Sequence, residues 1–175
     1  MKFIKCSSEQ RNAVCEMYAQ TVKALEENIN YPKWSKDHPS VEYIDESISR
    51  GELFACVENG EILGAVVLSE NPEGSYELGD WKVKLERGEY LVIHTLATNP
   101  SHQHKGVGSF LVDGCIDYAK ANGYKAIRLD VVPENIPAVK LYKSKGFTYA
   151  GTKDLMRNIE YIPFFDLYEL NLSEK

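Results

Sequence analysis

The stretch Ile93-His94-Thr95-Leu96-Ala97-Thr98-Asn99-Pro100-Ser101-His102-Gln103-His104-Lys105-Gly106-Val107-Gly108-Ser109-Phe110-Leu111-Val112 decides how this chain is read. It opens as an apolar strand, bends at Pro100 and reaches Gln103-His104-Lys105-Gly106-Val107-Gly108. An amphipathic helix comes next, with Val107, Phe110, Leu111, Cys115, Ile116 and Ala119 on one broad face. A helix start carries unpartnered backbone N–H groups and the positive end of the helix dipole. Two glycines there leave no side chain to hold an anion away from those N–H groups. Strand, loop and helix start together form a cradle for a pyrophosphate.

Two phosphate motifs fail on this loop. A dinucleotide fingerprint needs a third glycine where Leu111 stands, and no acidic ribose-binding residue stands at the required spacing. A Walker loop needs its lysine after the glycine, and Lys105 precedes it. What the loop does match is Gln103-x-x-Gly106-x-Gly108, preceded by Leu96-Ala97-Thr98-Asn99-Pro100. Further on stands Asn135-x-x-Ala138-x-x-Leu141-Tyr142-x-x-x-Gly146-Phe147. On these two signatures the chain resembles the GNAT superfamily of N-acetyltransferases, most closely over residues 90–150.

The resemblance implies acetyl-CoA as cofactor. The pyrophosphate would lie on the N–H groups of residues 104–109, that is His104, Lys105, Gly106, Val107, Gly108 and Ser109, with Gln103 and Lys105 adding side-chain contacts. Backbone groups of Leu96, Ala97 and Thr98 would meet the pantetheine amides; Thr98 stands where the family often has Val. Tyr142 would lie near the CoA sulfur. A phenol keeps its proton at neutral pH, so it is able to protonate a leaving thiolate. Asn135 would bind the cofactor or orient its helix, and as a plain N-cap it is equally well explained. For a general base the candidates are Asp130, at a position where the family often places a carboxylate, and His94, whose imidazole titrates near neutrality. Asp130 in an apolar strand would gain base strength by desolvation, unless it pairs with a cation; a lone strand histidine is more often structural.

The 175 residues, with 43% hydrophobic and 26% charged content, fit one domain, 1–175. A net charge of −6 disfavours nucleic acid or an anionic membrane as main partner. Cys6, Cys15, Cys56 and Cys115 have no metal or disulfide spacing; they read as small buried hydrophobes in a reducing cytoplasm. No metal site is expected. No apolar run reaches spanning length, and Met1-Lys2-Phe3 runs straight into a strand rather than a signal peptide.

The pattern predicts a strand over Phe3–Cys6 and a helix over about Glu9–Glu27, capped by Ser7 or Ser8. A second helix is expected over Val41–Arg50, capped by Ser40 and stopped by Gly51. Leu53–Glu58 and Ile62–Leu68 flank Asn59-Gly60, the strongest short hairpin signal. Residues 69–89 give no regular pattern. Tyr90–Ala97, Ala126–Val132, Phe147–Gly151 and Phe164–Leu170 read as strands, with helices ending near Gly123 and Gly146. The sum is an α/β (α+β) fold, a mixed central sheet of about seven strands flanked by about four helices, which is GNAT-like.

By resemblance the Asn28–Pro39 loop would line the acceptor pocket, making Tyr31 and Trp34 substrate walls; simple capping of the core explains them as well. The favoured function is direct acetyl transfer to a primary amine, with a small molecule preferred over a protein N-terminus or lysine. A non-catalytic acyl-CoA-binding module is the other class. The edge of the final strand would offer a pairing surface for a homodimer.

Overall fold

The computed structural model describes residues 1–172. They form seven strands and four α-helices in the order β1 (Lys2–Lys5), α1 (Arg11–Glu27), α2 (Val41–Ser49), β2 (Leu53–Glu58), β3 (Glu61–Ser69), β4 (Tyr90–Thr98), α3 (Val107–Ala121), β5 (Ala126–Val131), α4 (Ile136–Ser144), β6 (Thr148–Lys153) and β7 (Phe165–Asn171). The strands make one mixed sheet, ordered β1-β2-β3-β4-β5-β7-β6. β4 and β5 run parallel, whereas β1–β2, β2–β3, β5–β7 and β6–β7 pair antiparallel. The expected architecture of about seven strands and four helices is therefore the observed one.

Chain contacts divide the molecule into two compact units. The first comprises Met1–Asn30, Trp34–Leu68 and Thr95–Gly114. Its core is the apolar face of α1, where Val14, Met17 and Tyr18 are buried, packed with Ile44, Leu53 and Ala65. Ser40 caps α2 by accepting from the Tyr43 N–H at 3.1 Å, as its sequence position suggests. Asn59 and Gly60 both adopt positive φ, 51° and 83°, the geometry of a tight primed hairpin turn between β2 and β3. Gly64 in β3 has a packing reason: a Cβ there would stand 2.7 Å from the Ala97 carbonyl oxygen and 2.9 Å from Val107.

The second unit comprises Tyr31–Lys33, Ser69–His94 and Cys115–Lys175, of which residues up to 172 are described. Tyr76, Tyr90, Val92, Ala126, Leu155 and Leu167 are buried in its core. The segment 69–89, illegible in sequence, holds a 3-10 turn at Tyr76–Leu78 and is fastened by a buried ion pair. Arg128 of β5 and Glu169 of β7 meet at 3.0 Å with side chains 3% and 1% exposed. The guanidinium lies 4.2 Å from both the Trp81 and Tyr90 rings and donates to the Val83 carbonyl, while Glu169 accepts the Lys82 N–H. A loop of polar residues thus acquires a fixed course because its backbone satisfies a buried charge.

Two expectations are corrected. α1 starts at Arg11 with Gln10 as N-cap, because the Gln10 side-chain oxygen accepts from the Ser7 N–H and hydroxyl and ties Ser7 into a preceding turn. The final strand β7 lies between β5 and β6, so its edges are covered and the sheet ends instead on β1 and β6.

Candidate active site

In the first unit, β4 reaches Thr95 with φ 48°, a left-handed conformation costly for a β-branched residue. The Tyr18 hydroxyl donates to the Thr95 carbonyl at 2.8 Å and so holds this kink from α1. Leu96 and Thr98 are half-buried and Ala97 buried as the strand ends. Asn99, 7% exposed, organises the turn after the strand. Its side-chain oxygen accepts from the Ser101 N–H at 3.1 Å and hydroxyl at 2.7 Å, while its N–H donates to the Leu63 carbonyl. His102 continues the chain of contacts, with Nδ1 2.9 Å from the Ser101 hydroxyl and Nε2 3.6 Å from Glu61.

The loop itself, Gln103-His104-Lys105-Gly106, is exposed. His104 and Gly106 adopt φ 62° and 78°, and α3 begins at the next residue, buried Val107. A Cβ at Gly106 would meet nothing within 4 Å. The loop therefore presents open space at the start of a 15-residue helix, with the dipole and unpartnered N–H groups directed there. This geometry fits the pyrophosphate of a CoA: the exposed loop admits the anion and buried Val107 fixes the first turn.

Tyr142 of α4 stands in the second unit, 6% exposed, its ring edge-on to Phe147 at 5.6 Å. Burial raises the phenol pKa well above its ordinary value, and the Cys115 thiol and Asp130 push the same way. The group keeps its proton across the physiological range, as an acid must before it is used. Asn135 is the N-cap of α4 and accepts the Ala138 N–H at 3.3 Å, which realises the capping role.

The two base candidates are both engaged. His94 is buried with Nε2 2.8 Å from the Asn71 carbonyl, anchoring the start of the 69–89 segment. Asp130 takes the cation-paired alternative: Arg157 Nη1 and Nη2 donate to its two oxygens at 2.8 and 2.7 Å, and the Tyr76 hydroxyl donates at 2.5 Å. The expectation of a lone desolvated carboxylate is thereby revised, since a bidentate guanidinium offsets the charge a base would use. Burial, then the Asp130 charge and hydrogen bond, holds the Tyr76 phenol protonated. Burial alone would lower the Arg157 pKa, but Asp130, Tyr76 and Glu73 reverse it and keep the guanidinium charged.

Of the proposed substrate walls, Trp34 packs within the first unit against Tyr18 at 6.4 Å and His38 at 5.2 Å, and its N–H and carbonyl bond the Asn30 side chain. This is the core-capping arrangement. Tyr31 is half-buried and groups with the second unit. Sequence reasoning did not single out Thr95, Asn99, Tyr76 or Arg157. Asn99 before Pro100 carried a turn signal; the other three had no local pattern to mark them.

The chain is similar to several known proteins. An uncharacterized N-acetyltransferase of Methanocaldococcus jannaschii is 32% identical over 95 residues, 54% of this chain and 38% of that protein. The match thus spans about two-fifths of that relative's length. The L-methionine sulfoximine/L-methionine sulfone acetyltransferase of Salmonella typhimurium is 28% identical over 115 residues, covering 63% of this chain and 67% of that one. A Salmonella typhimurium protein solved with its cofactor acetyl-CoA shares the fold, with a TM-score of 0.70 at 20% identity over 100% of this chain and 95% of that one. The model of the Acetyltransferase (GNAT) family matches residues 19–147, most of the chain and both of its signature motifs, and the chain belongs to that family.

Proposed function

We propose that the chain is an acetyl-CoA-dependent N-acetyltransferase that acylates a small primary amine in a direct ternary complex. The observation that carries this reading is the exposed Gly106 loop, at φ 78° with open space over the glycine, leading straight into the N-terminus of α3. Gln103 to Ser109 hold the pyrophosphate, and the backbone of Leu96, Ala97 and Thr98 holds the pantetheine arm. When bound, acetyl-CoA supplies an activated acetyl thioester.

Tyr142 is the catalytic acid in this proposal. With the thioester bound, it would give its proton to the leaving thiolate as the amine takes the acetyl group. Its phenolate then recovers a proton from the acylated nitrogen, so the enzyme ends as it began and the products are an amide and a thiol. Asn135 fixes the start of α4 and thereby the Tyr142 position. His94 keeps the 69–89 segment on β4 in this reading, and Tyr31 borders the acceptor.

A small amine carrying an amino-acid-like skeleton is the favoured acceptor class, because a relative in the same family is named for acetylating methionine sulfoximine and sulfone. Buried thiols at Cys6, Cys56 and Cys115 suit the reducing cytoplasm we assign to it, and no described helix is long and apolar enough to cross a membrane. The test is thiol release from acetyl-CoA against a panel of amino acids, polyamines and peptides, beside thermal shift with CoA. Turnover with amino acids supports the proposal. A thermal shift without turnover on any amine points to a binding module, and the absence of both responses overturns the cradle itself.

A further inference from the structure

Three segments of the second unit converge on one carboxylate. Asp130 lies on β5 one residue beyond Leu129, the last β5 residue in register with β4, through Ile93. Tyr76 reaches it from the 69–89 segment and Arg157 from the connection between β6 and β7. Arg157 is itself clamped: Nε donates to the Glu73 carbonyl at 2.7 Å and the guanidinium lies 4.7 Å from the Phe165 ring. Among the described residues, the charged and titratable groups bearing on this cluster include Tyr76 and Glu73, Arg157, Tyr142 of α4 and, through Tyr142, Cys115 of α3, with Asp154 and Glu160 beside Arg157. Asp130 is 9% exposed and Arg157 17%, so the pair is neither dissolved in solvent nor sealed from it. Arg157 also borders a cleft of about 330 Å³ with Asp154, Glu160, Ile159, Ile162 and Phe165.

An apolar residue at 130 would serve packing as well as a buried ion pair does. The pair has instead a consequence for amine chemistry. An amine attacks through its lone pair, which an ammonium ion lacks. A bare carboxylate within about 4–6 Å would stabilise the ammonium and raise its pKa by about 1–3 units. A guanidinium bound to that carboxylate cancels most of this field, yet leaves oxygen lone pairs that accept an N–H. We propose that Arg157 is a positioning residue for the acceptor amine: it makes Asp130 half of a neutral pair, which orients the amine without holding it as an ammonium ion. The inference rests on the N-acetyltransferase reading above and names the device that keeps its acceptor nucleophilic.

The experiment is the pH dependence of kcat at saturating acetyl-CoA and acceptor, in wild type, Arg157→Gln, Arg157→Lys, Asp130→Asn and Tyr76→Phe. Arg157→Gln uncovers the carboxylate, so the acidic limb moves up by about one pH unit and activity at pH 7 falls about tenfold more than at pH 9.5. Arg157→Lys restores the charge and returns the limb. Asp130→Asn uncovers the cation, so the limb moves the opposite way, which keeps the test decisive if Arg157→Gln does not fold. Tyr76→Phe removes a hydrogen bond but no charge and leaves the limb in place. Equal loss at every pH in Arg157→Gln and Asp130→Asn makes the cluster structural and overturns the inference alone. Absence of turnover by wild type with every amine overturns the acetyltransferase reading and this inference with it.

Discussion

Tyr142 is a buried phenol with its proton held by desolvation, and its proposed work is to give that proton up and take one back. Tyr142→Phe keeps the ring against Phe147 and removes only the hydroxyl. Its kcat is expected to fall about 100-fold, while the dissociation constant for acetyl-CoA, read by titration calorimetry, stays within twofold. Equal loss of both would make the residue structural. At this scale the sequence was legible wherever meaning is local. Gly106 and Asn135 announce themselves by spacing, and their backbone roles come from neighbours in the chain. Arg157 does not, since its partner Asp130 is 27 residues away, and Tyr76 finds the same carboxylate 54 residues on. The choice between a free and a paired Asp130 is made by tertiary contact, which no window of sequence contains.

Elements behaved likewise. Asn59-Gly60 fixed its hairpin and Ser40 its helix, because both act on backbone groups within a few residues. The start of α1 falls later than Ser7 or Ser8 suggests because Gln10 competes for Ser7, and the final strand, at its expected place in the chain, lacks the expected open edge because strand order is a long-range property. The 69–89 segment was unreadable for a physical reason: the partners that order it, His94, Arg128, Asp130 and Glu169, all lie outside it in the chain. Arg128→Met leaves Glu169 buried with no cation and should cost about 3–5 kcal/mol of stability. Adding Glu169→Leu should recover a good part of that loss, as urea denaturation of the single and double variants will measure. Additive losses would mean the two charges do not act as a pair.

For the molecule as a whole, pH limits stability from both sides. Burial raises the Cys115 thiol and the Tyr18, Tyr76 and Tyr142 phenols, and pushes Cys6 up to about 11. These groups keep their protons in the folded state while the unfolded chain releases them, from about pH 8.5 for thiols and about 10 for phenols. The folded state then binds more protons, so unfolding free energy falls as pH rises, by about 1.4 kcal/mol per pH unit for Cys115 alone. Urea midpoints at pH 8, 9 and 10 should fall progressively, and Cys115→Ala should flatten the slope. On the acid side Asp45, Glu89 and Glu134 have lowered pKa values: hydrogen bonds from Arg11 and Lys125 lead for the first two, and a backbone bond then Lys33 for the third. What they add is present above about pH 4, is lost as pH falls through their folded values, and is small because exposed pairs are screened.

The placing of Trp34 and Trp81 gives the molecule two built-in fluorophores. Trp34 rests on Tyr18 in one compact unit, and Trp81 lies against a guanidinium in the other. Replacing either by Phe leaves a single emitter, whose change of colour and intensity in denaturant tracks the opening of its own unit. The Trp81 emitter should brighten on unfolding as its charged neighbour departs, while the Trp34 emitter should shift to the red as water replaces its packed rings. Each unit can thus be watched separately, with no label attached.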